Sequence, residues 1–563
     1  MVLLSALWAA LAIASVSQKS LTIDEMKRLA PGYLHLTAGE FRIHTDHPPL
    51  VKMLAALPLL AQDIRLPPVV EDWSVPDSFW PFFHDFLYVV NDADRLVRGG
   101  RLAVLPIAVV LGLFVFWWAR ALFGAGAACF ALLLYAFEPN ILAHGPLMNT
   151  DVPVTGFLFA TTYFFARALD EVTLGRVVLA GVCYGLALVT KYSAVFGLLW
   201  LVALGAGVAC STRFPVVVTL PRLGTATLSS RRSKLAAVTG TLVAIGLVAY
   251  VVVWAVYRFR FEGGITPGYA YLVPWGLFAE RPDFARRLVL WARGWRLLPD
   301  AYLHGLALAT STSTGRLIFL MGEVSTTGGW WHYFVVTFGL KTPLAFLLLL
   351  GFLPWSLRRW WSRAPLPILC LVVPPLVYFG VASASRLNIG HRHILPIYPF
   401  LFVLAASVVP WALARRPIVK AGVALLAAWY VVSSASVFPH YLAYFNELAG
   451  GPDGGWRYLV DSNLDWGQDL KGLKRYMDEH AIKRIWLSYF GTADPRHYGI
   501  EFNYFPSLFT RYFHQERAPA QYLAVSVSNL RLLLLHQPES ARRLRELQLE
   551  AKIGHSIFLY RIP

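Results

Sequence analysis

Charge is scarce in this sequence. Of 563 residues only 15% are Asp, Glu, Lys or Arg, where a soluble globular chain carries roughly 25%. That shortage, together with 57% hydrophobic residues and a mean hydropathy of +0.52, excludes an ordinary soluble enzyme. It also excludes a disordered chain, which needs low hydrophobicity. Cysteine is scarcer still. Cys129, Cys183, Cys210 and Cys370 stand in or beside apolar stretches, with no CxxC pair and no His at metal spacing. A disulfide scaffold, a zinc finger and thiol catalysis therefore lack support. There is no P-loop and no GxGxxG-led strand–helix unit, so nothing marks a nucleotide site. Acids are outnumbered: 33 Asp and Glu against 50 Lys and Arg leave a net charge of +17. The apolar runs argue against nucleic acid as the reason and place the cations at membrane faces, near anionic lipid groups.

What is abundant is apolar sequence. Crossing ~30 Å of hydrocarbon takes about 20 residues. Eleven runs approach that length: 1–17, 101–119, 121–137, 152–169, 175–190, 192–209, 235–257, 333–353, 366–383, 395–413 and 420–437. The expected fold class is a polytopic α-helical membrane protein with about 11 transmembrane helices. The first run lacks a basic n-region and an A-x-A-like cleavage site, and reads as a retained helix rather than a signal peptide. Connections holding Arg120, Arg167, Arg176, Arg213, Arg222, Arg231, Arg232, Lys234, Arg358, Arg359, Arg363, Arg415, Arg416 and Lys420 alternate with connections such as 138–151 that hold no Lys or Arg. By the positive-inside rule the first set is cytoplasmic. An odd number of spans then puts the N-terminus inside and the C-terminus outside.

Two outer loops are long, 18–100 and 258–332, and long loops are uncommon unless functional. The first carries Pro48-Pro49, Pro67-Pro68 and the aromatics Trp73, Phe79, Trp80, Phe82 and Phe83, a pattern that reads as short amphipathic helices lying at the interface. After residue 437 charge becomes frequent and long apolar runs stop. There, Arg484–Tyr489 and Tyr522–Val527 read as strands, and 465–481 and 539–550 read as helices. The expected division is a transmembrane domain over 1–437 and a small extracytoplasmic α/β domain over 438–563.

A carboxylate close to hydrocarbon is expensive, so its presence is a functional hypothesis by default. Asp24-Glu25 follows the first run by a few residues, Asp151 opens the fourth, and His44, Asp46 and His47 precede Pro48-Pro49-Leu50-Val51-Lys52. All fall on the outer side of the expected topology, where one cavity could take them. Each has a plainer alternative. Asp24-Glu25 and Asp151 could cap helices, and the His44/Asp46/His47 group could be a solvated loop or a metal site, since His and carboxylate suit divalent ions. Lys52, Lys191, Lys341, Arg386 and Arg392 stand at outer membrane boundaries, where they either snorkel or clamp a phosphate at headgroup depth.

These acids, in this order and topology, resemble a known family. Asp24-Glu25, His47-Pro48-Pro49-Leu50-Val51-Lys52, Glu138-Pro139 through Asp151, Gly185–Tyr192, Gly339-Leu340-Lys341-Thr342-Pro343-Leu344 and Gly390-His391-Arg392-His393-Ile394-Leu395-Pro396 are similar to stretches of phospholipid-carrier-dependent glycosyltransferases of the GT-C superfamily. The likeness is to the protein O-mannosyltransferase branch, with the aminoarabinose-transferring lipid A enzymes as more distant relatives. It covers most of 20–400.

The resemblance implies a sugar donor on polyprenyl phosphate, an acceptor hydroxyl on a protein, lipid or glycan, and a multi-pass place in the inner (plasma) membrane. It also implies Asp24 as the catalytic base, Glu25 as its acidic partner near the acceptor, and Asp151 as a second acid of the site. Lys52 matches the Lys that follows His-Pro-Pro-Leu in the family. Lys52 and Lys191, then Arg392 and Lys341, are the candidates for the donor phosphate; His44, Asp46 and His47 are candidates for substrate or metal contact. A divalent cation could share the phosphate's charge, but the sequence does not require one. Family members often show Asp-Pro where Glu138-Pro139 stands, and the tail differs from the β-trefoil of eukaryotic mannosyltransferases. The rival class is a transporter or flippase of an anionic or lipid-linked substrate, because intramembrane acids also mark transport pathways. No internal repeat of the kind transporters carry is visible.

Overall fold

The computed structural model describes residues 1–69, 79–220, 224–280, 283–311, 316–385, 387–508 and 518–563; Trp73 and Arg386 lie outside them. All eleven apolar runs fall on helices, and among the described residues seven helices are long and apolar enough to cross a membrane. The helix Ala93–Phe123 has 31 residues, or about 46 Å at 1.5 Å per residue, and so takes in 93–100, which the sequence reading left in the first outer loop. Ala125–Ala136, by contrast, has 12 residues, about 18 Å, and is too short to cross alone.

The run 333–353 is a correction of another kind. It is two helices, Tyr333–Lys341 and Leu344–Gly351, bent by 106°. Pro343 supplies no N–H and disfavours the helical region for Thr342 before it, so the helix breaks there. The break frees carbonyls that hydrocarbon would leave unsatisfied at several kcal/mol each. Here each is met. Asn446 Nδ2 donates to the carbonyls of Gly339 and Thr342 at 2.6 and 2.8 Å, Asn446 N donates to Leu340 O at 2.9 Å, and Asn140 Nδ2 donates to Lys341 O at 2.9 Å.

Leu174–Leu188 packs tightly on Arg231–Val256. A Cβ added at Gly181 or Gly185 would come within 2.6 Å of the Cβ of Val248 or Val252. This small-residue seam, one helical turn long, lets two backbones approach closely where lipid gives no hydrophobic drive. It fixes the C-terminal end of Leu174–Leu188, which Lys191 follows. Before the long helix Ala93–Phe123, Leu29–Thr37 and Leu50–Ala56 lie side by side, and Phe79–Tyr88 packs on Glu25–Lys27 and on that helix. Phe82 and Phe83 are buried rather than lipid-facing, so this part of the loop is a packed cap and not a set of surface helices.

The tail carries a five-stranded sheet in the order Glu501–Tyr504, Arg484–Ser488, Tyr522–Ser526, Ile557–Arg561, Gln548–Ile553. The first three strands are parallel, and Ile557–Arg561 runs antiparallel to both its neighbours. Leu470–Glu479 is a helix that buries Leu470, Leu473 and Met477. The expected helix over 539–550 stops at Glu546, because Gln548–Ile553 pairs with Ile557–Arg561 through a turn in which Gly554 and His555 take φ of 58° and 63°. One continuous apolar core runs from Trp8 and Tyr135 in the bundle to Leu464, Trp466 and Phe558 in the tail.

Candidate active site

Asp24 sits where the chain leaves the first helix and meets the tail. Ser20 N donates to Gln468 O at 2.9 Å, and Ile23 N donates to Trp466 O at 3.1 Å, so the strip leading into Asp24 is laid against 466–468. Asp24 makes no capping bond to the short Glu25–Lys27 turn. Nor does Asp151 cap: it is the first residue of Asp151–Asp170, and the cap position belongs to Thr150. Both carboxylates turn instead to one guanidinium. Arg392 Nη1 donates to Asp24 Oδ2 at 2.8 Å and reaches Asp151 Oδ2 at 3.4 Å. Lys191 Nζ donates to the other oxygen, Asp151 Oδ1, at 2.6 Å, and lies 3.4 Å from His393 Nδ1. Four charged groups predicted from separate stretches thus form one cluster.

Access distinguishes the two acids. The Asp24 side chain is 17% exposed and that of Asp151 1%. Burial pushes the Asp24 carboxyl up, but the guanidiniums of Arg392 and Arg28, with Lys27 and His47, more than offset it and hold Asp24 well below the usual carboxylate range. It is therefore ionised, reachable and already paired to a cation.

The second predicted group lies alongside. His44 Nδ1 and His47 Nδ1 stand 2.5 and 2.9 Å from the two oxygens of Asp46. Arg28 Nη1 and Lys52 Nζ lie 3.5 and 3.4 Å from Asp46 Oδ1. Lys52 Nζ also donates to the carbonyls of His44 and His47. Lys52 therefore closes the loop 44–52 on itself, which is a different task from the free phosphate clamp expected of it. Burial pushes His44 down to about 3, so it meets Asp46 as a neutral ring. Arg28 joins the two groups, with Nη2 3.5 Å from His47 Nδ1.

This donor set does not fit a divalent ion. Among the described residues no group of three or more His, Cys, Asp or Glu side chains comes together in a metal-holding arrangement, and the carboxylates of Asp24, Asp46 and Asp151 face cations already.

Two candidates stand apart from this cluster. Glu25, expected near the acceptor, is fully buried. Arg101 grips it with Nε and Nη2 at 2.8 and 2.6 Å, and Thr22 N, Thr22 Oγ1 and Met148 N donate to it as well. Five donors thus engage its two oxygens, and the two from Arg101 hold the loop to Ala93–Phe123. Lys341, expected at the phosphate, donates inward to the carbonyls of Leu442 and Asn463 at 2.9 and 2.6 Å and lies 4.6 Å from the centre of the Phe445 ring. It ties the broken helix to the tail.

Sequence reasoning missed Arg28, Arg101, Ser462 and Trp466. Arg392 Nε donates to Ser462 Oγ at 3.1 Å, and its guanidinium stacks 4.2 Å from the centre of the Trp466 ring. The signals were present: a charge at the edge of an apolar run at Arg101, and an aromatic among short polar residues in Asp461–Asp469.

Residues 93–205 match the family model described as dolichyl-phosphate-mannose-protein mannosyltransferase. Over that stretch the chain is similar to this family of membrane mannosyltransferases. The matched stretch contains Arg101, Asp151 and Lys191 and runs from Ala93 into the helix Gly197–Cys210. Solved structures to which it is similar include ArnT from Cupriavidus metallidurans bound to undecaprenyl phosphate, at 14% identity over 100% of this chain and 97% of that one, with a TM-score of 0.40. They also include the oligosaccharyltransferase of Archaeoglobus fulgidus in its apo form, at 11% identity over 93% and 69% of the two chains, with a TM-score of 0.46. Archaeal AglB from the same organism, in complex with an inhibitory peptide and a dolichol-phosphate, is 12% identical over 77% and 55%, with a TM-score of 0.41. No curated protein sequence matches the chain.

Proposed function

We propose that this enzyme moves a mannose-like sugar from a polyprenyl-phosphate donor to an acceptor hydroxyl on the outer face of the inner membrane, with its N-terminus cytoplasmic and the tail 438–563 extracytoplasmic. The observation that carries the reading is the sharing of Arg392 by Asp24 and Asp151. A partly exposed carboxylate beside a guanidinium offers a proton acceptor and an anion partner a few ångströms apart, which is what glycosyl transfer from a phosphate ester needs.

In this reading Asp24 accepts the proton of the attacking hydroxyl as the bond from that oxygen to C1 forms. The bond from C1 to the phosphate oxygen breaks and the phosphate leaves with the electron pair. General-base help of this kind contributes roughly 10²–10⁴-fold. Attack and departure on opposite faces give inversion at C1. Arg392 and Lys191, with Arg28 beside Asp24, favour the developing phosphate charge, an electrostatic effect often larger than any other. The cost of the arrangement is a weakened base, since Arg392 depresses Asp24. A donor phosphate drawn to the same guanidinium relieves that pairing and returns basicity to Asp24 when substrate is bound.

The test uses purified enzyme in liposomes with polyprenyl-phosphate mannose and a hydroxyl acceptor. Release of free polyprenyl phosphate together with an α/β-inverted product is the expected result. Movement of the intact donor or of an anionic solute across the vesicle wall, without cleavage, would show a transporter and overturn the proposal.

A further inference from the structure

The tail segment Asp461–Asp469 belongs to no part of the chemistry so far, yet it touches both members of the Asp24–Arg392 pair. Trp466 does so twice. Its carbonyl accepts the N–H of Ile23, one residue before Asp24, at 3.1 Å. Its ring forms the platform 4.2 Å beneath Arg392. Ser462 adds a directional hold on the same guanidinium through the bond from Nε at 3.1 Å, and it anchors itself by donating to Ile389 O at 2.8 Å. The platform is itself fixed. Trp466 is 2% exposed, its backbone N–H donates to Gln468 Oε1 at 2.7 Å, and Asp465 Oδ2 accepts from Ser528 N at 2.9 Å, just past the strand Tyr522–Ser526. Asp461, before Ser462, is held at φ 57° with its N–H donated to Ser528 Oγ at 3.0 Å. A guanidinium with its face on an aromatic ring and one edge bonded keeps little freedom. Its remaining edge, Nη1, is the one that meets Asp24 and Asp151.

We propose that Trp466 is a positioning residue of the transfer reaction, setting the separation of Asp24 and Arg392 by holding the backbone before the one and the face of the other. This rests on the reading of Asp24 as the base. It assigns the tail a share in building the active site, beyond any part it has in meeting the acceptor.

The experiment compares the full-length variants Trp466→Ala, Trp466→Phe and Ser462→Ala with the parent in detergent. Two kinds of measurement are made: steady-state transfer across pH, and phenylglyoxal labelling of Arg392 followed by mass spectrometry. Misplacement of a reacting group by about 1 Å costs up to about 10²-fold, so Trp466→Ala is expected to lose kcat by about that factor while donor KM moves little. Trp466→Phe, which keeps a flat face, is expected to recover most of the rate. Asp24 is faced by Arg392, Arg28, Lys27, His47 and Asp461. Loosening Arg392 alone weakens the largest of the attractions in the free enzyme and moves the acid limb of the kcat/KM profile to higher pH. Arg392 labelling, slow in the parent, is expected to quicken in Trp466→Ala and Ser462→Ala.

A rate loss in Trp466→Ala that merely follows loss of folded protein, with the acid limb and the labelling unmoved, overturns the proposal. If Asp24→Asn turns over normally, the base assignment fails instead. The labelling, which needs no turnover, then decides the positioning role by itself: faster labelling in Trp466→Ala upholds it and unchanged labelling ends it.

Discussion

Asp24 and Glu25 are neighbours in the chain, and they mark the edges of two regions that treat a buried acid in opposite ways. Around Glu25 the protein is closed. Five donors from three stretches converge on one carboxylate, and burial's upward push on its pKa is outweighed first by Arg101. Around Asp24 it is open, with one bond to Arg392, partial exposure and a second acid across the same guanidinium. Saturated hydrogen bonding makes a fastener; an ion pair with an unfilled side suits the base proposed at Asp24. Proximity in sequence to that position therefore says little about role, and the number of free lone pairs says a good deal.

The largest expected effect breaks this comparison at Asp24. Asp24→Asn keeps the shape and removes the charge, so transfer should fall by about 10²–10⁴-fold while the protein purifies and unfolds as the parent does; near-parent turnover would remove Asp24 as base. Glu25→Gln should do the reverse. It removes the charge that Arg101 pairs with and turns one of the two acceptor oxygens into an amide donor, and breaking a buried pair costs about 3–5 kcal/mol. The midpoint of chemical unfolding in detergent should drop accordingly, while kcat per folded molecule stays within a few-fold. Parent-like stability with lost activity would place Glu25 at the acceptor after all.

A smaller effect sharpens the picture in the tail. Burial pushes Asp465 up to about 8, against about 4 in an unfolded chain. Between these values the folded protein keeps a proton that the unfolded one has released, so stability should fall as pH rises from about 4 to about 8. Asp465→Asn cannot titrate and should flatten that part of the curve in a pH series of thermal unfolding. An unchanged slope would assign the pH dependence to another group.

Hydropathy made the helices legible because each run must satisfy its own backbone in lipid, a local requirement written locally. The bend at Thr342-Pro343 was not read, and the run around it was taken as one span. The acids were legible because charge is costly there and stands out. What pairs with each acid was not. Glu25 meets Arg101 76 positions away, Arg392 meets Ser462 after 70, and Asn446 reaches back more than 100 to the broken helix. Such partners are chosen by the folded geometry, and periodicity carries no trace of them. Lys341 and Lys52 misled for a related reason: a lysine at a membrane boundary looks free in sequence, while its ammonium can turn inward to carbonyls. The strand Gln548–Ile553 was taken for the end of a helix because its pairing partner lies beyond the turn.

The capping of the broken helix by Asn446 bears on how the molecule comes into being. The eleven greasy segments can enter the bilayer one after another during synthesis, but the carbonyls of 339, 340 and 342 have no donor until the ribosome has passed position 446, and Arg392 has no seat until it has passed 466. A nascent bundle halted short of those points carries all its spans and no finished reaction centre, which ties the onset of activity to the late arrival of a few polar residues.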